Sequence, residues 1–511
     1  MSNVLFDALF ADHIGSDAPF LILPDGEVWS YKRFLETAAQ YAHVLEALGL
    51  QIGDRLAVQV QKSPEALAIY AACLQTGVIF LPLNTAYTAR EMAYFIENSG
   101  AKLVLCDAKA ETALHPVAQA AQAQLQVLNG DGSGGFTRLA MHHPKSYQPR
   151  ARSGADLAAF LYTSGTTGRS KGAMLSHDNL LSNAKALCDA WRFTAQDVLL
   201  HALPIFHTHG LFVATNICLL AGCSMRFYPA FDAKQLIQDM PMATALMGVP
   251  TFYSRLLNDP NFTKRITENM RLFVSGSAPL LTETHEAFES RTGHRILERY
   301  GMTETNMNTS NPYNAERRAG TVGFPLPGVE LRVIDEKTEE LLPQGEIGMI
   351  EIRGPNVFQG YWNMPDKTAA ELRENGFFIT GDLGMIDGQG YVQIVGRSKD
   401  LIISGGYNIY PKEIEQILDD VPGVLESAVI GVPHADFGET VLAAVVPRSG
   451  VTLQERDLAA EVAQKLARFK HPKSYQIIAE LPRNTMGKVQ KNLLRDRYKG
   501  CLLYTSPSPR D

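Results

Sequence analysis

No surplus of basic charge is present: 47 Lys and Arg stand against 54 Asp and Glu, for a net charge of -7 and a pI near 6.0. That balance excludes the positive footprint by which most nucleic-acid binders hold phosphate backbones, so nucleic acid is not an expected partner. Paired cysteine motifs are also missing. Cys73, Cys106, Cys188, Cys218, Cys223 and Cys501 are scattered with no C-x-x-C, which in a 511-residue chain reads as reduced core thiols, not a disulfide framework or a zinc site. Long apolar runs are absent: the longest, 210–222, falls short of the roughly 20 residues a membrane helix needs. The opening Met-Ser-Asn-Val-Leu-Phe-Asp has no basic leader, and Asp7 and Asp12 follow early, so a secretory signal is not expected and a cytoplasmic location is. What remains is ordinary globular material, 45% hydrophobic and 20% charged, with a mean hydropathy of -0.08. At roughly 100–200 residues per domain, the length predicts more than one folding unit.

Helical and strand patterns alternate through the first part of the chain. Apolar residues recur at helical spacing over 31–48 and 63–76, while 55–60 and 101–106 read as short buried strands. The Ala/Gln-rich piece 117–125 reads as a surface helix leading into a strand. Such alternation predicts layered α/β subdomains. From about 320 to 398 the texture changes to short β-rich runs (329–335, 348–353, 391–395) broken by Gly and Pro, the pattern of a small antiparallel or barrel-like subdomain. Beyond it an α+β pattern resumes, with helices at 411–418 and 453–466 and strands at 424–431, 441–447 and 474–478. The expected organisation is a large unit over 1–398, a mobile lid over 399–500, and a tail, 501–511, without apolar periodicity that reads as a frayed or foreign extension. No internal repeat is evident.

Chemistry concentrates in a few segments. After the apolar strand 157–161 comes Thr163-Ser164-Gly165-Thr166-Thr167-Gly168-Arg-Ser-Lys171-Gly172. Its glycines free the backbone, its hydroxyls donate to anionic oxygens, and Lys171 adds charge, as a phosphate grip requires. A solvated Ser/Thr/Gly loop has the same composition. A Walker A loop does not fit, because Gly168 is followed by Arg169, and Lys171 by Gly172.

This segment resembles the phosphate loop of the adenylate-forming superfamily, which contains acyl-CoA synthetases, luciferases and peptide-synthetase adenylation domains. Tyr300-Gly301-Met302-Thr303-Glu304, Thr380-Gly-Asp382, Gly396-Arg397-Ser-Lys399-Asp400, Gly405-Gly406-Tyr407-Asn-Ile-Tyr-Pro411 and Pro482-Arg-Asn-Thr-Met-Gly-Lys488 follow in the family's order. The resemblance spans residues 1–500 and implies ATP, Mg²⁺ and coenzyme A as reactants and cofactor. It implies an ATP site built from Thr163–Gly168, Lys171, Ser277, Ala278, Pro279, Tyr300–Thr303, Asp382, Arg397 and Lys488. Within it Asp382 and Arg397 would hold the ribose, Thr303 the α-phosphate, and Glu304 the metal. The ordinary alternatives are a turn-capping Asp, an exposed salt bridge and a helix-start Thr-Glu pair.

Lys488 carries the strongest physical argument. Joining a carboxylate to the α-phosphate crowds two anions together, and a point cation between them offsets a repulsion that grows on approach. The resemblance further implies a swing about Lys399 that withdraws Lys488 and brings Gly405, Gly406 and Tyr407 to the coenzyme A channel. Acylation of Lys488 by a lysine acyltransferase, reversed by a deacylase, is a family-like expectation.

The acid is read from three further stretches. His207 stands where amine-activating relatives carry an Asp, which disfavours an amino-acid substrate. His207-x-His209 lacks a third metal ligand nearby, leaving a pocket gate or a core histidine as its main readings. His207-Thr208-His-Gly, Val249-Pro-Thr-Phe-Tyr-Ser-Arg255 and Tyr300–Thr309 resemble the malonyl-CoA synthetase branch. This implies malonate as the acid, with His207 catalytic and pocket-lining, and with Thr208, Arg255, Ser277, Met302 and Met307 also lining the pocket. A planar guanidinium suits a second carboxylate, although a solvated helix arginine is the ordinary alternative for Arg255. Medium-chain or aromatic acyl-CoA ligases, a free-standing adenylation domain serving a carrier protein, and a non-catalytic nucleotide-binding scaffold are the competing classes.

Overall fold

The computed structural model describes residues 2–163, 170–404, 407–434, 438–484 and 487–499; for Tyr407, Asn408 and Gly438 the backbone alone is described. Ser164, Gly165, Thr166, Thr167, Gly168, Gly405, Gly406, Cys501 and the tail therefore lie outside the described residues.

Two large sheets form the body. The first runs in the order Gln124–Val127, Leu103–Cys106, Arg55–Gln59, Ile79–Pro82, Leu157–Thr163, Lys171–Ser176, parallel except for the last strand. The second has nine strands. Its parallel centre comprises Pro19–Ile22, Ser224–Phe227, Val198–His201, Ala245–Gly248, Leu272–Ser275 and Leu297–Met302. Ile79–Pro82, Leu103–Cys106, Ala245–Gly248 and Leu272–Ser275 are buried at every position, as strands covered on both faces must be. The helix Pro64–Thr76 buries every residue except Glu65, so it is core all round. Its ends are fixed locally: the Ser63 side chain accepts from the Ala66 amide, Pro64 occupies the first turn, and Gly77 closes the helix at φ 77°. One apolar cluster runs from Leu5 to Phe378 and unites both sheets.

The β-rich segment is a four-stranded antiparallel sheet, Glu330–Ile334, Gly348–Arg353, Phe378–Ile386 and Val392–Arg397. Residues from Ile402 onward build a separate five-stranded sheet with a core on each face. Leu401 and Tyr410 pack against Ile334, Met349 and Leu383, seating the connection on the antiparallel sheet. Two ion pairs mark this seam: Arg448 donates to both carboxylate oxygens of Glu283 at 2.6 Å, and Arg495 meets Asp400 beside Lys399.

One expectation needs correction. The helix expected over 117–125 is Ala108–Ala120, followed by the strand Gln124–Val127. Pro116 lies inside it and masks the pattern, since proline removes a backbone donor. The apolar run 210–222 is a buried π-helical stretch, His209–Thr215, continuing into the helix Asn216–Ala221. Among the described residues no helix is long and apolar enough to cross a membrane, and no cluster of three metal-ligating side chains occurs. The five described cysteines are free thiols.

Candidate active site

The parallel strands of the nine-stranded sheet end at one rim, the place where α/β sheets bind ligands. Val198–His201 leads to Pro204–His209, Ala245–Gly248 to the helix Pro250–Leu257, Leu272–Ser275 to Ser277-Ala278-Pro279, and Leu297–Met302 to Thr303 and Glu304. Thr303 and Glu304 do not start a helix. They sit in the turn of an antiparallel hairpin with Asn306–Ser310, where Asn306 takes φ 50°, the left-handed residue that short hairpins require. Ser277 is also left-handed, at φ 71°, a strain of the kind kept at functional sites.

Asp382 and Arg397 are directly opposite in the antiparallel sheet, so register alone brings them together. Arg397 Nε lies 2.5 Å from Asp382 Oδ1, and the Tyr300 hydroxyl donates to Oδ2 at 2.5 Å, tying this sheet to the rim. Asp382 and burial together raise the Tyr300 phenol: burial first, then the carboxylate beside it.

Thr163 and Lys171 are paired across the antiparallel strands that flank the 164–170 connection. The Thr163 hydroxyl donates to Glu304 Oε1 at 3.3 Å. Tyr361, buried, places its hydroxyl 2.7 Å from Glu371 Oε2 and 3.1 Å from the same Glu304 oxygen. Lys171 Nζ lies over the Tyr361 ring and 3.3 Å from Glu371. Neither Tyr361 nor Glu371 is expected from sequence; both lie between the β-rich runs 348–353 and 391–395, in a stretch of mixed polar residues that resembles a plain surface turn.

At the other end, His207 Nδ1, Thr208 Oγ1 and His209 Nε2 are buried without hydrogen-bond partners, and Ser277 Oγ is 3.4 Å from His209 Nδ1. Burial, then Lys488 and Arg299, hold His207 down to about 3, so its imidazole is neutral at physiological pH. Met307 is buried on the hairpin strand, held through its backbone by the Asn183 amide. Its tip crosses Gly301, where a Cβ would stand 2.6 Å from Met307 Cε. Met302 ends the facing strand.

Arg299 is also not expected from sequence. It is 3% exposed, its Nε and Nη2 donate to nothing, and a Cβ on Gly276 would stand 2.4 Å from its Cζ. A charged residue inside an otherwise buried strand was the available signal. Burial pulls its guanidinium down to about 9, with Tyr253 acting the other way. Arg255, by contrast, is exposed, its guanidinium 5.9 Å from the Phe231 ring centre.

Lys488 is an exposed residue, but its ammonium is crowded against the rim. That crowding first, and Arg397 second, pull it below the usual amine range, against Asp382 and Glu304. A Cβ on Gly487 would come within 3.8 Å of Thr251, so the Lys488 segment reaches the start of the helix that carries Arg255. Lys399 lies in the short turn Ser398–Asp400 between the antiparallel sheet and the last domain-like sheet.

Gathered at this rim are a bracketed carboxylate, a hydroxyl-lined carboxylate, and two cations near neutral imidazoles, groups suited to anionic reactants. The chain belongs to the AMP-binding enzyme family, whose model matches residues 11–362, with its C-terminal domain matching 413–488. It is 31% identical to the malonate–CoA ligase of Arabidopsis thaliana, over 96% of this chain and 88% of that one. It is 32% identical to the long-chain-fatty-acid–CoA ligase of Bacillus subtilis (strain 168), over 92% and 90%. The crystal structure of ATP-bound MatB from Rhodopseudomonas palustris matches with a TM-score of 0.96 at 54% identity, covering 98% of this chain and 100% of that one. The apo form of that protein, equally identical, matches at 0.85.

Proposed function

We propose that this protein makes malonyl-CoA in two steps. A malonate oxygen attacks the α-phosphate of ATP, expelling pyrophosphate and leaving malonyl-adenylate; the thiol of coenzyme A then attacks the acyl carbon and releases AMP. The observation that carries the choice of acid is Arg299, buried beside His207 and His209 with donors unused. A second carboxylate left dry would cost several kcal/mol, and a buried guanidinium fork is the group that meets it. Arg255 serves the outer side of the same pocket, while Thr208, Ser277, Met302 and Met307 limit substituents on the central carbon, making methylmalonate a poorer substrate.

Asp382 and Arg397 hold the ribose hydroxyls. Ser277, Ala278, Pro279 and Tyr300–Met302 border the nucleotide, with Ser164–Gly168 and Lys171 gripping its phosphates. Thr303 donates to the α-phosphate, and the neutral His207 closes the acyl side. Glu304 suits a hard cation: both hydroxyl contacts fall on its Oε1, and one carboxylate plus phosphate oxygens is the usual Mg²⁺ arrangement. Mg²⁺ would there neutralise phosphate charge. The chain divides at Lys399 into a body (1–398) and a lid (399–500), with Gly405, Gly406 and Tyr407 lining the coenzyme A route after the swing. The cytoplasmic location and reversible acylation of Lys488 belong to this reading.

Acid-dependent AMP release with malonate, methylmalonate, acetate, a medium-chain acid and an aromatic acid tests the substrate. Malonate should lead, and stronger activity with any monocarboxylate refutes the reading. Substituting a holo carrier protein for coenzyme A tests the rival adenylation-domain class. Lys399→Pro should impair thioester formation more than adenylation; a full two-step rate would remove Lys399 as the pivot.

A further inference from the structure

Lys62 follows the strand Arg55–Gln59 of the six-stranded sheet, yet its side chain reaches the rim of the other sheet. Its Nζ lies 2.8 Å from His201 Nδ1, 2.8 Å from the His201 carbonyl and 2.9 Å from the Leu203 carbonyl. Three acceptors match the three hydrogens of an ammonium. No carboxylate contacts it among the described residues; the Phe227 ring lies 4.3 Å from it. Because the Gly210 carbonyl can only accept, His201 Nε2, 2.8 Å from it, carries the proton, and Nδ1 of the neutral ring accepts from Lys62. Thr215 donates to the same carbonyl at 3.0 Å.

These contacts bracket one loop. Leu203 and Gly210 are its two ends, and a Cβ on Gly210 would stand 2.1 Å from the Pro204 carbonyl, so the ends touch. Between them hang His207, Thr208 and His209. We propose that Lys62 and His201 form a clasp that closes the 203–210 loop and thereby sets the shape of the acid pocket, making both positioning residues for acid selection. The proposal rests on the assignment of His207 and Thr208 to that pocket. A buried amine is kept inside the body because its donors fix carbonyls that no hydrophobic residue could hold.

Lys62→Met tests it with the full-length enzyme. The KM for malonate should rise roughly tenfold and the preference for malonate over methylmalonate should fall by a similar factor, with the KM for ATP unchanged within about twofold. Unchanged acid KM and preference, or equal loss for acid and ATP, overturns the clasp. Should Lys62→Met not fold, His201→Gln and His201→Leu decide. Glutamine can accept from Lys62 and donate to Gly210, so it should retain wild-type selectivity, while leucine should lose it; identical selectivity in the two overturns the proposal. Nitrogen NMR should show His201 protonated on Nε2, and the Nδ1 tautomer would also overturn it. If the wild-type enzyme prefers another acid, the substrate reading fails, and the clasp is then judged on selectivity for that acid.

Discussion

Lys488→Ala is expected to slow adenylate formation by roughly a thousandfold, about 4 kcal/mol of barrier, while thioester formation from supplied malonyl-adenylate continues at near wild-type rate. The asymmetry follows from charge. In the proposed first step an entering carboxylate meets the anionic α-phosphate, and Lys488, whose ammonium feels the Asp382 and Glu304 carboxylates, supplies the positive charge between the two anions. In the second step a thiol attacks a neutral acyl carbon, and no such crowding arises. Pyrophosphate exchange measures the first half-reaction and product CoA thioester the second. Equal loss in both would remove Lys488 from its role.

Arg299→Met should raise the malonate KM by roughly a hundredfold while the KM for ATP stays within about twofold. Its thermal midpoint should hold or rise, because a buried guanidinium with unmatched donors destabilises the fold, and an apolar side chain of similar length relieves that cost. A gain in stability together with loss of acid binding separates this residue from an ordinary core arginine. Arg255→Ala should act in the same direction with a smaller effect, since its guanidinium is exposed and water already solvates it. An unchanged malonate KM in Arg299→Met would detach the second carboxylate from this cation.

Much of this site was readable from short motifs, for identifiable reasons. Thr163 and Lys171 flank one loop, and Asp382 and Arg397 face each other across one hairpin, so neighbours in sequence pattern become neighbours in space. The layered body and the later α+β unit were readable because buried strands and amphipathic helices keep their periods. Arg299, Tyr361 and Glu371 were not readable. Their roles arise only when separate elements converge: Arg299 against Gly276, Tyr361 between Glu304 and Glu371. Neither residue type nor spacing announces such a meeting. For the Thr303-Glu304 pair the ordinary alternative was a helix start, and the structure has a hairpin turn instead, because Asn306 accepts the left-handed backbone that closes it.

The contact between Arg448 and Glu283 has a kinetic consequence. Both side chains are about half exposed, and such pairs contribute on the order of 1 kcal/mol or less. Under the proposed swing about Lys399, a brace this slight can be released and remade in every cycle without a deep resting well. Ionic strength should therefore alter the balance between the lid's two positions before it touches the chemistry at either one.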